Sequence, residues 1–557
     1  MKNLPILTLM LAAVTMCACS KIDESTISKE DTTSEKITTI CVSNDVDAQT
    51  KTSMEYVVDP VNGNHITTKW KEGDKIAFYE VKTTPFVTHY FTLTSGAGTT
   101  KAVFTADGVG LTPGVDYFAL HQGSSDYGTI DAENMYVNYP IPSPQVQSAA
   151  GDISHINADN IFYIPKFTAA SPQPDLSFNH LLAVLKFNIT GDAALGSIKS
   201  IQFASEEYYS NVWQEMRRAG MVSKLGVNQS AFSYNNQTSY SVELTTPAPL
   251  SSAPSTTYML ALFASNLPVA DFPIDFTLNV VTTVGVYSVT VPVSKNIVAG
   301  KIYTANVNLT SADALTYPEA TDQFPLIINN LMWAPVNCGY EAKTASSNGY
   351  VCGKYYQWGR KVGFGYSPDD ATYLTNDNYS DALNFVLGTS EPADDKFYSY
   401  TNSTKYQWLT DENCFGGFTW WNTLSSSVWG DKIGNPCPAG WRIPKNPELE
   451  ALQSIGVWDE STPNNPDEMA GYWFGTNAST ATASDPKGCM FLPASGTISS
   501  SANAVTSTQR GTLGRYAANQ LQSNSRSSSM EFNSTEIKDV RNYAAVSTAF
   551  SVRCVKE

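Results

Sequence analysis

Apolar and polar positions alternate through the N-terminal half of the chain. Ile76, Phe78 and Glu80 share one parity with Ala77 and Tyr79 between them, and Val184 and Lys186 interleave with Leu185, Phe187 and Ile189. Ile274, Phe276, Leu278 and Val280 alternate again, as do Tyr287, Val289, Val291 and Val293, and then Tyr303, Ala305, Val307 and Leu309. A period of two sends successive side chains to opposite faces, so each run predicts a half-buried antiparallel strand. Asn62-Gly63-Asn64, Pro113-Gly114 and the Pro140 to Pro144 segment predict turns and strand edges. The Pro-rich run Ala170-Ser171-Pro172-Gln173-Pro174 predicts a boundary between two β units. One helix is legible, over 447–455: Asn446 can cap it, Pro447 suits its first turn, Glu448 and Glu450 complement the dipole, and Leu449, Leu452 and Ile455 recur at helical spacing.

Length and charge narrow the classes. A chain of 557 residues exceeds one core and predicts three or four domains at roughly 150 residues each. Hydrophobic residues at 42% against charged residues at 16% exclude global disorder. A formal charge of -17 leaves no basic surface to neutralise a phosphate backbone, which excludes nucleic acid.

Lys2 precedes an apolar stretch from Leu4 to Met16, too short for a permanent span but suited to an export signal. It ends in Thr15-Met16-Cys17-Ala18-Cys19-Ser20, which resembles a bacterial lipobox, with Cys19 as the lipidated residue and Cys17 as the competing acceptor. Ordinary secretion with loss of both cysteines is the plain alternative. Lys21-Ile22-Asp23-Glu24 resembles the acidic signals that send lipoproteins of the Bacteroidetes to the outer face of the outer membrane, and residues 20–36 read as a flexible tether. No other segment approaches the ~18 to 20 apolar residues of a membrane span.

Thr50-Lys51-Thr52, Trp70-Lys71-Glu72-Gly73-Asp74-Lys75-Ile76, Tyr139-Pro140-Ile141-Pro142-Ser143-Pro144-Gln145 and Phe178-Asn179-His180-Leu181-Leu182-Ala183-Val184-Leu185-Lys186-Phe187 follow in the order of landmarks in fimbrillin-like proteins, the pilins of the Bacteroidales, which residues 37–315 resemble. The resemblance implies two transthyretin-like β-sandwiches, over 37–170 and 171–320, and assembly by strand exchange. In that scheme a protease removes the N-terminal strand and an incoming subunit fills the groove. The removable strand would lie between Glu35 and Lys51, with Lys51 where the family often carries an arginine. A simple edge strand that is never cut is the alternative.

Composition shifts after Ala312. Nine of the eleven tryptophans and six of the nine cysteines lie beyond it, while all five histidines precede it. Without histidine this region cannot host a Ser-His-Asp triad or a His-ligated zinc. Cys338, Cys352, Cys414, Cys437, Cys489 and Cys554 are even in number in an exported chain and predict disulfides. The preferred pairs are Cys437 with Cys554, Cys338 with Cys352 and Cys414 with Cys489, out of about fifteen pairings that six cysteines allow. Trp333-Ala334-Pro335-Val336-Asn337, Tyr355-Tyr356-Gln357-Trp358-Gly359-Arg360, Asn435-Pro436-Cys437-Pro438-Ala439-Gly440-Trp441-Arg442-Ile443-Pro444 and Ser551-Val552-Arg553-Cys554-Val555 resemble the Fibrobacter major paralogous domain. That family is similar to C-type-lectin-like folds, implying an α+β domain over 321–557.

A lectin-like fold does not make a lectin. Glu391-Pro392-Ala393 and Trp421-Asn422 resemble the calcium and sugar motifs of C-type lectins but precede the helix at 447–455, so neither metal nor cofactor is expected. Trp420 and Trp421 could offer flat apolar faces to a sugar, although tryptophans at this density usually form core. Glu391, Asp394 and Asp395 could act as paired carboxylates on glycans, or simply be solvated. The Ser, Thr and Ala rich stretches Asn477 to Ser484, Ser499 to Thr508 and Ser523 to Ser529 read as surface loops suited to adhesion.

The sequence therefore predicts a mainly β, cell-surface pilus component at the outer membrane. It would be a tip subunit or adhesin that accepts a donor strand from other fimbrillin-like subunits and presents a lectin-like domain to a glycan or to a host or bacterial surface. The alternatives are a non-polymerising surface lipoprotein that binds glycan or peptide, and a glycan-modifying enzyme.

Overall fold

The computed structural model describes residues 36–43, 54–57, 65–81, 87–122, 130–131, 136–139, 144–159, 162–180, 182–205, 221–224, 239–261, 274–293, 301–329, 331–342, 344, 351–358, 360–363, 379–381, 397–399, 434–460, 469–501, 504–523, 526–540, 544–545 and 548–557. It is mainly β, and the alternating runs form strands: Lys75–Glu80, Ala183–Gly191, Ile274–Thr282, Val286–Val293 and Ile302–Leu309. Among the described residues no helix is long and apolar enough to cross a membrane.

The first unit is one eight-stranded sheet in the order Leu176–Ser177, Thr39–Ser43, Lys101–Ala106, Thr88–Ser95, Lys75–Glu80, Asp116–Gln122, Phe162–Thr168, Asn179–His180. Its two end strands are separated in sequence by Phe178 alone, so one short segment holds both ends of the ladder and the sheet rolls around a single core. Phe178 plugs that closure. It is buried, and its ring meets Trp70 at 5.7 Å while Trp70 meets Phe104 edge-on at 4.9 Å. The landmarks around Trp70 and Phe178 thus meet in one cluster. Trp70 is followed by a tight turn in which Asp74 accepts from the Lys71 amide at 2.8 Å and Gly73 adopts φ +89, a conformation glycine takes without steric cost.

The second unit packs two sheets face to face. Five strands run in the order Gln145–Gln147, Ser239–Pro249, Ser197–Ser205, Ile274–Thr282, Val286–Val293, and three in the order Ser255–Ala261, Ala183–Gly191, Ile302–Leu309. Leu185, Phe187 and Ile189 point into the core as their parity predicts, and Phe187 meets Phe203 at 5.4 Å, which stacks on Phe276 at 4.8 Å. The units interleave around the Pro-rich run at 170–174: Gln145–Gln147 precedes it yet belongs to the second sheet system, while Leu176–His180 follows it and closes the first.

The terminal region closes on itself. In one four-stranded sheet, Leu326–Ile328 and Leu331–Trp333 from its beginning stand beside Val555–Lys556 from its end and then Trp441–Arg442. Trp333, Trp358, Trp441 and Trp473 are all buried. The expected helix is shorter than predicted, Asn446–Glu450, with a separate 3-10 turn at Gln453–Ile455. Lys445 rather than Asn446 caps it. The Lys445 amide donates to Glu448 at 2.7 Å, and Asn446 lies buried with its side chain donating to Ser528.

Two of the expected surface loops are strands. Thr497–Ser501 pairs with Ala504–Thr508, and Leu513–Ser523 pairs with Arg526–Asn533. Ser527, Ser528 and Ser529 are buried, with Ser529 accepting from Arg515 at 3.0 Å. A small hydroxyl residue fits between packed layers once a partner satisfies its oxygen, which a reading from composition does not see.

Candidate functional site

Four places bear on function: the strand Thr39–Ser43, the seams of the second unit, the strand Val555–Lys556, and the packing that joins the last two units. Thr39–Ser43 pairs antiparallel along its whole length with Lys101–Ala106, but only Val42 and Ser43 pair, in parallel, with Leu176 and Ser177 on the other side. Ile37, Ile40 and Val42 are buried in the first core. Burying such a side chain contributes ~1.5 to 3 kcal/mol, so this one strand contributes several kcal/mol. Its departure would uncover an apolar cleft lined by a row of backbone donors and acceptors. Close packing holds its start, since a Cβ on Gly110 would fall 2.1 Å from the Ile37 carbonyl oxygen.

The two sheets of the second unit meet along two seams. At one, Gln145 and Gln147, both completely buried, reach the backbone of Ser255–Ala261. The Gln145 amide donates to the Leu260 carbonyl at 2.8 Å and accepts from the Leu260 N–H at 2.7 Å. Gln147 accepts from Tyr258 N–H at 2.9 Å and donates to the carbonyls of Ala149 and Thr256. Each side chain acts as a length of strand that ties one sheet to the other. Sequence pattern gives the reverse of this arrangement, because Val146 between them is the exposed residue, at 55%.

The opposite seam has no such clip among the described residues. Val286–Val293 and Ile302–Leu309 are each the outermost strand of their sheet. Between them runs a groove of about 610 Å³ lined by Phe187, Phe203, Val289, Val291, Tyr303 and Ala305 among others. Val289, Val291 and Val293 are half-buried against the core. The walls mix these apolar side chains with Thr290, Thr304, Asn306 and Asn308, and the lips are strand edges.

At the end of the chain, Val555–Lys556 is an interior strand, with Val555 opposite both Trp333 and Arg442. Cys554 is bonded to Cys437. The neighbouring Arg553 is buried and donates to the Asn337 side chain at 2.8 Å and to the carbonyls of Ala334, Pro335 and Phe491. The expected bridge between Cys338 and Cys352 is absent. Cys338 instead lies against Cys437 and Cys554, all three sulfurs being within 4.8 Å of one another, whereas Cys352 lies 3.6 Å from the Met469 sulfur. Cys489 is a buried thiol, and Cys414, its expected partner, lies outside the described residues, as do Cys19, Lys51, Glu391, Asp394, Asp395, Trp420 and Trp421.

A fourth feature joins the last two units. Val286 packs into the core of the terminal region with Tyr317, Ala320 and Trp441, and Tyr317 meets Trp441 edge-on at 5.0 Å. Gly285 is required there, because a Cβ would fall 2.7 Å from the Phe324 ring. Glu319 accepts from Gly339 N–H at 2.8 Å and from the Tyr317 hydroxyl, and burial pushes its carboxyl above the ordinary value.

No protein-family model matches the chain. No curated protein matches it either. Superposition on solved structures finds a cell adhesion protein of Bacteroides uniformis at 14% identity and a TM-score of 0.30, covering 44% of this chain and 90% of that one. A fimbrial protein of Bacteroides ovatus superposes at 12% identity and a TM-score of 0.24, covering 91% of this chain and 99% of that one. The tip fimbrial protein Mfa3 of Porphyromonas gingivalis, with a C-terminal truncation, superposes at 15% identity and 0.23, covering 47% and 83%. Likeness this weak carries no functional weight.

Proposed function

We propose that this protein is a surface adhesion component of a pilus, placed at the tip, in which the first unit accepts a strand from a neighbouring subunit and the terminal region faces outward. The observation that carries this reading is the asymmetry between two strands, Thr39–Ser43 and Val555–Lys556. Thr39–Ser43 is flanked by only two paired residues on one side and sits in a groove that another extended strand can fill. Val555–Lys556 is held between two strands beside a disulfide, so extracting it would break both. A subunit whose first unit takes a strand while Val555–Lys556 stays locked in its own sheet would stand at the end of a fibre. Cell adhesion and fimbrial proteins are also what the superposed structures are named for, although their weak superposition adds no weight.

The test replaces residues 48–53 with the recognition site of a sequence-specific protease. Cleavage leaves the N-terminal strand seated without a covalent link. A labelled strand peptide from a shaft pilin, alternating apolar and polar, should then displace it and raise the melting temperature by mass action. The cut protein should remain monomeric on its own, and gold label should sit at fibre ends. Self-polymerisation or label along the shaft would place the protein in the shaft. Failure of any peptide to displace the cut strand would remove the acceptor reading.

The open seam favours a second reading, a non-polymerising surface lipoprotein that captures an extended peptide. Its groove exists without any cleavage. Peptide binding by intact protein, lost on Val291→Arg, would separate this reading from the first.

A further inference from the structure

We propose that Cys338 is an exchange thiol for the Cys437–Cys554 disulfide, so that the covalent tether of the terminal strand can be transferred away from it with no change in overall redox state. Three segments converge on this point. Cys338 N–H donates to the Val552 carbonyl at 2.8 Å and Ala334 N–H to the Cys554 carbonyl at 2.9 Å, which sets 334–338 alongside 552–554. The Cys338 thiol donates to the Pro436 carbonyl at 3.0 Å, which holds it beside the residue preceding Cys437. The three sulfurs lie within 4.8 Å of one another and all three residues are buried. Neighbouring segments hold Cys338 beside the bond without supplying it a bridge of its own.

The step balances without an oxidant. The Cys338 thiol loses its proton, its sulfur bonds to Cys437 Sγ, the Cys437–Cys554 bond breaks, and Cys554 leaves as a thiolate that takes up a proton. The terminal strand then keeps only non-covalent ties, its pairs with Trp333, Trp441 and Arg442 and the bonds of Ala334 N–H to Cys554 and of Glu557 N–H to Gly440, while 434–440 stays anchored. Burial, and secondarily the Glu319 carboxylate, raises the Cys338 thiol well above the ordinary range. Only the thiolate attacks, so exchange is quiet in the closed domain and proceeds when the region opens to water. This inference does not depend on the strand-acceptor reading.

The test uses the intact oxidised protein. One sample is unfolded in acid, where exchange stops, then alkylated and mapped. A second is first held in sub-denaturing urea at about pH 8.5, in the range where thiolates form. The first sample should carry label at Cys338 and none at Cys437 or Cys554. The second should show a new Cys338–Cys437 bridge and label at Cys554, at least tenfold above that in Cys338→Ser treated identically. Equal labelling of Cys554 in the two proteins, or bridges to Cys352 or Cys489 in place of Cys437, would overturn the proposal. As an independent arm, Cys554→Ser oxidised with glutathione disulfide should close Cys338 to Cys437. Mapping that finds both still alkylatable would also overturn it.

Discussion

The glutamine clip of the second unit makes a sharp prediction. Gln145→Leu keeps roughly the side-chain volume but removes both contacts to Leu260, made at 2.8 and 2.7 Å. The buried N–H and C=O of Leu260 are then left without partners, at ~1 to 3 kcal/mol each. Burial of the leucine offsets ~1 to 2 kcal/mol of that, leaving a net loss of about 0 to 5 kcal/mol, centred at about 2.5. At roughly 2 to 4 °C per kcal/mol for a unit of this size, calorimetry should show its transition falling by about 8 °C. Hydrogen exchange should show the Leu260 amide losing protection while amides across the Ser197–Ser205 to Ile274–Thr282 ladder keep theirs. Gln145→Glu gives the pH control. A carboxylate facing the Leu260 carbonyl has a folded pKa above the unfolded value of ~4.3. Its contribution is therefore complete below that value and is lost as pH rises through the folded one, so the deficit at pH 7 should shrink on acidification. A melting temperature within about 1 °C of the unchanged protein, with Leu260 still protected, would refute the clip.

Further outcomes follow from the same structure. His155, whose Nε2 lies 3.0 Å from the Tyr258 carbonyl, has its pKa lowered by burial, so it contributes stability above the ordinary value of ~6.5 that is lost as pH falls through the folded one. Urea titrations between pH 7 and 5 should show that loss in the second unit, and His155→Phe should flatten it. Arg553→Met leaves the Asn337 oxygen and the carbonyls of Ala334, Pro335 and Phe491 without this donor, at ~1 to 3 kcal/mol for each acceptor that stays buried and unsatisfied, read as earlier unfolding of the terminal region alone. Metabolic acyl labelling should be lost in Cys19→Ala and retained in Cys17→Ala; labelling that survives the first change would exclude Cys19 as the acceptor.

What the sequence made legible was periodicity. Ala183–Gly191, Ile274–Thr282, Val286–Val293 and Ile302–Leu309 are strands whose inward parity follows from alternation, and Pro447 with Glu448 marks the helix start to within a residue. What it hid were polar groups that bury only because a distant backbone receives them. Gln145 and Gln147 follow the Pro140 to Pro144 segment, which predicts turns and edges, Ser523 to Ser529 reads as a loop, and Arg553 stands out only by its place in the terminal motif. Gln145, Ser528 and Arg553 are satisfied by atoms far away in the chain, which local pattern cannot supply, while the Ser527 hydroxyl is buried without a partner among the described residues. The cysteines teach the same lesson. The sequence reading pairs Cys338 with Cys352, whereas the hydrogen bonds of 334–338 and 552–554 carry it to Cys437 and Cys554.

The shared packing of Val286 with Tyr317, Ala320 and Trp441 has a mechanical side. Val286 also opens the edge strand Val286–Val293, which lies antiparallel against Ile274–Thr282 over eight paired residues. The covalent link to the terminal region is Ile302–Leu309, which lies parallel against Ala183–Gly191 over eight paired residues, so a tug on that region loads this second ladder through Leu309. Pulled in that direction, the ladder's hydrogen bonds carry the load side by side and fail together, instead of peeling one after another from an end. The packing of Val286 with Tyr317, Ala320 and Trp441 stands beside that covalent link, so torque on the terminal region reaches the second unit through side chains as well as through the chain.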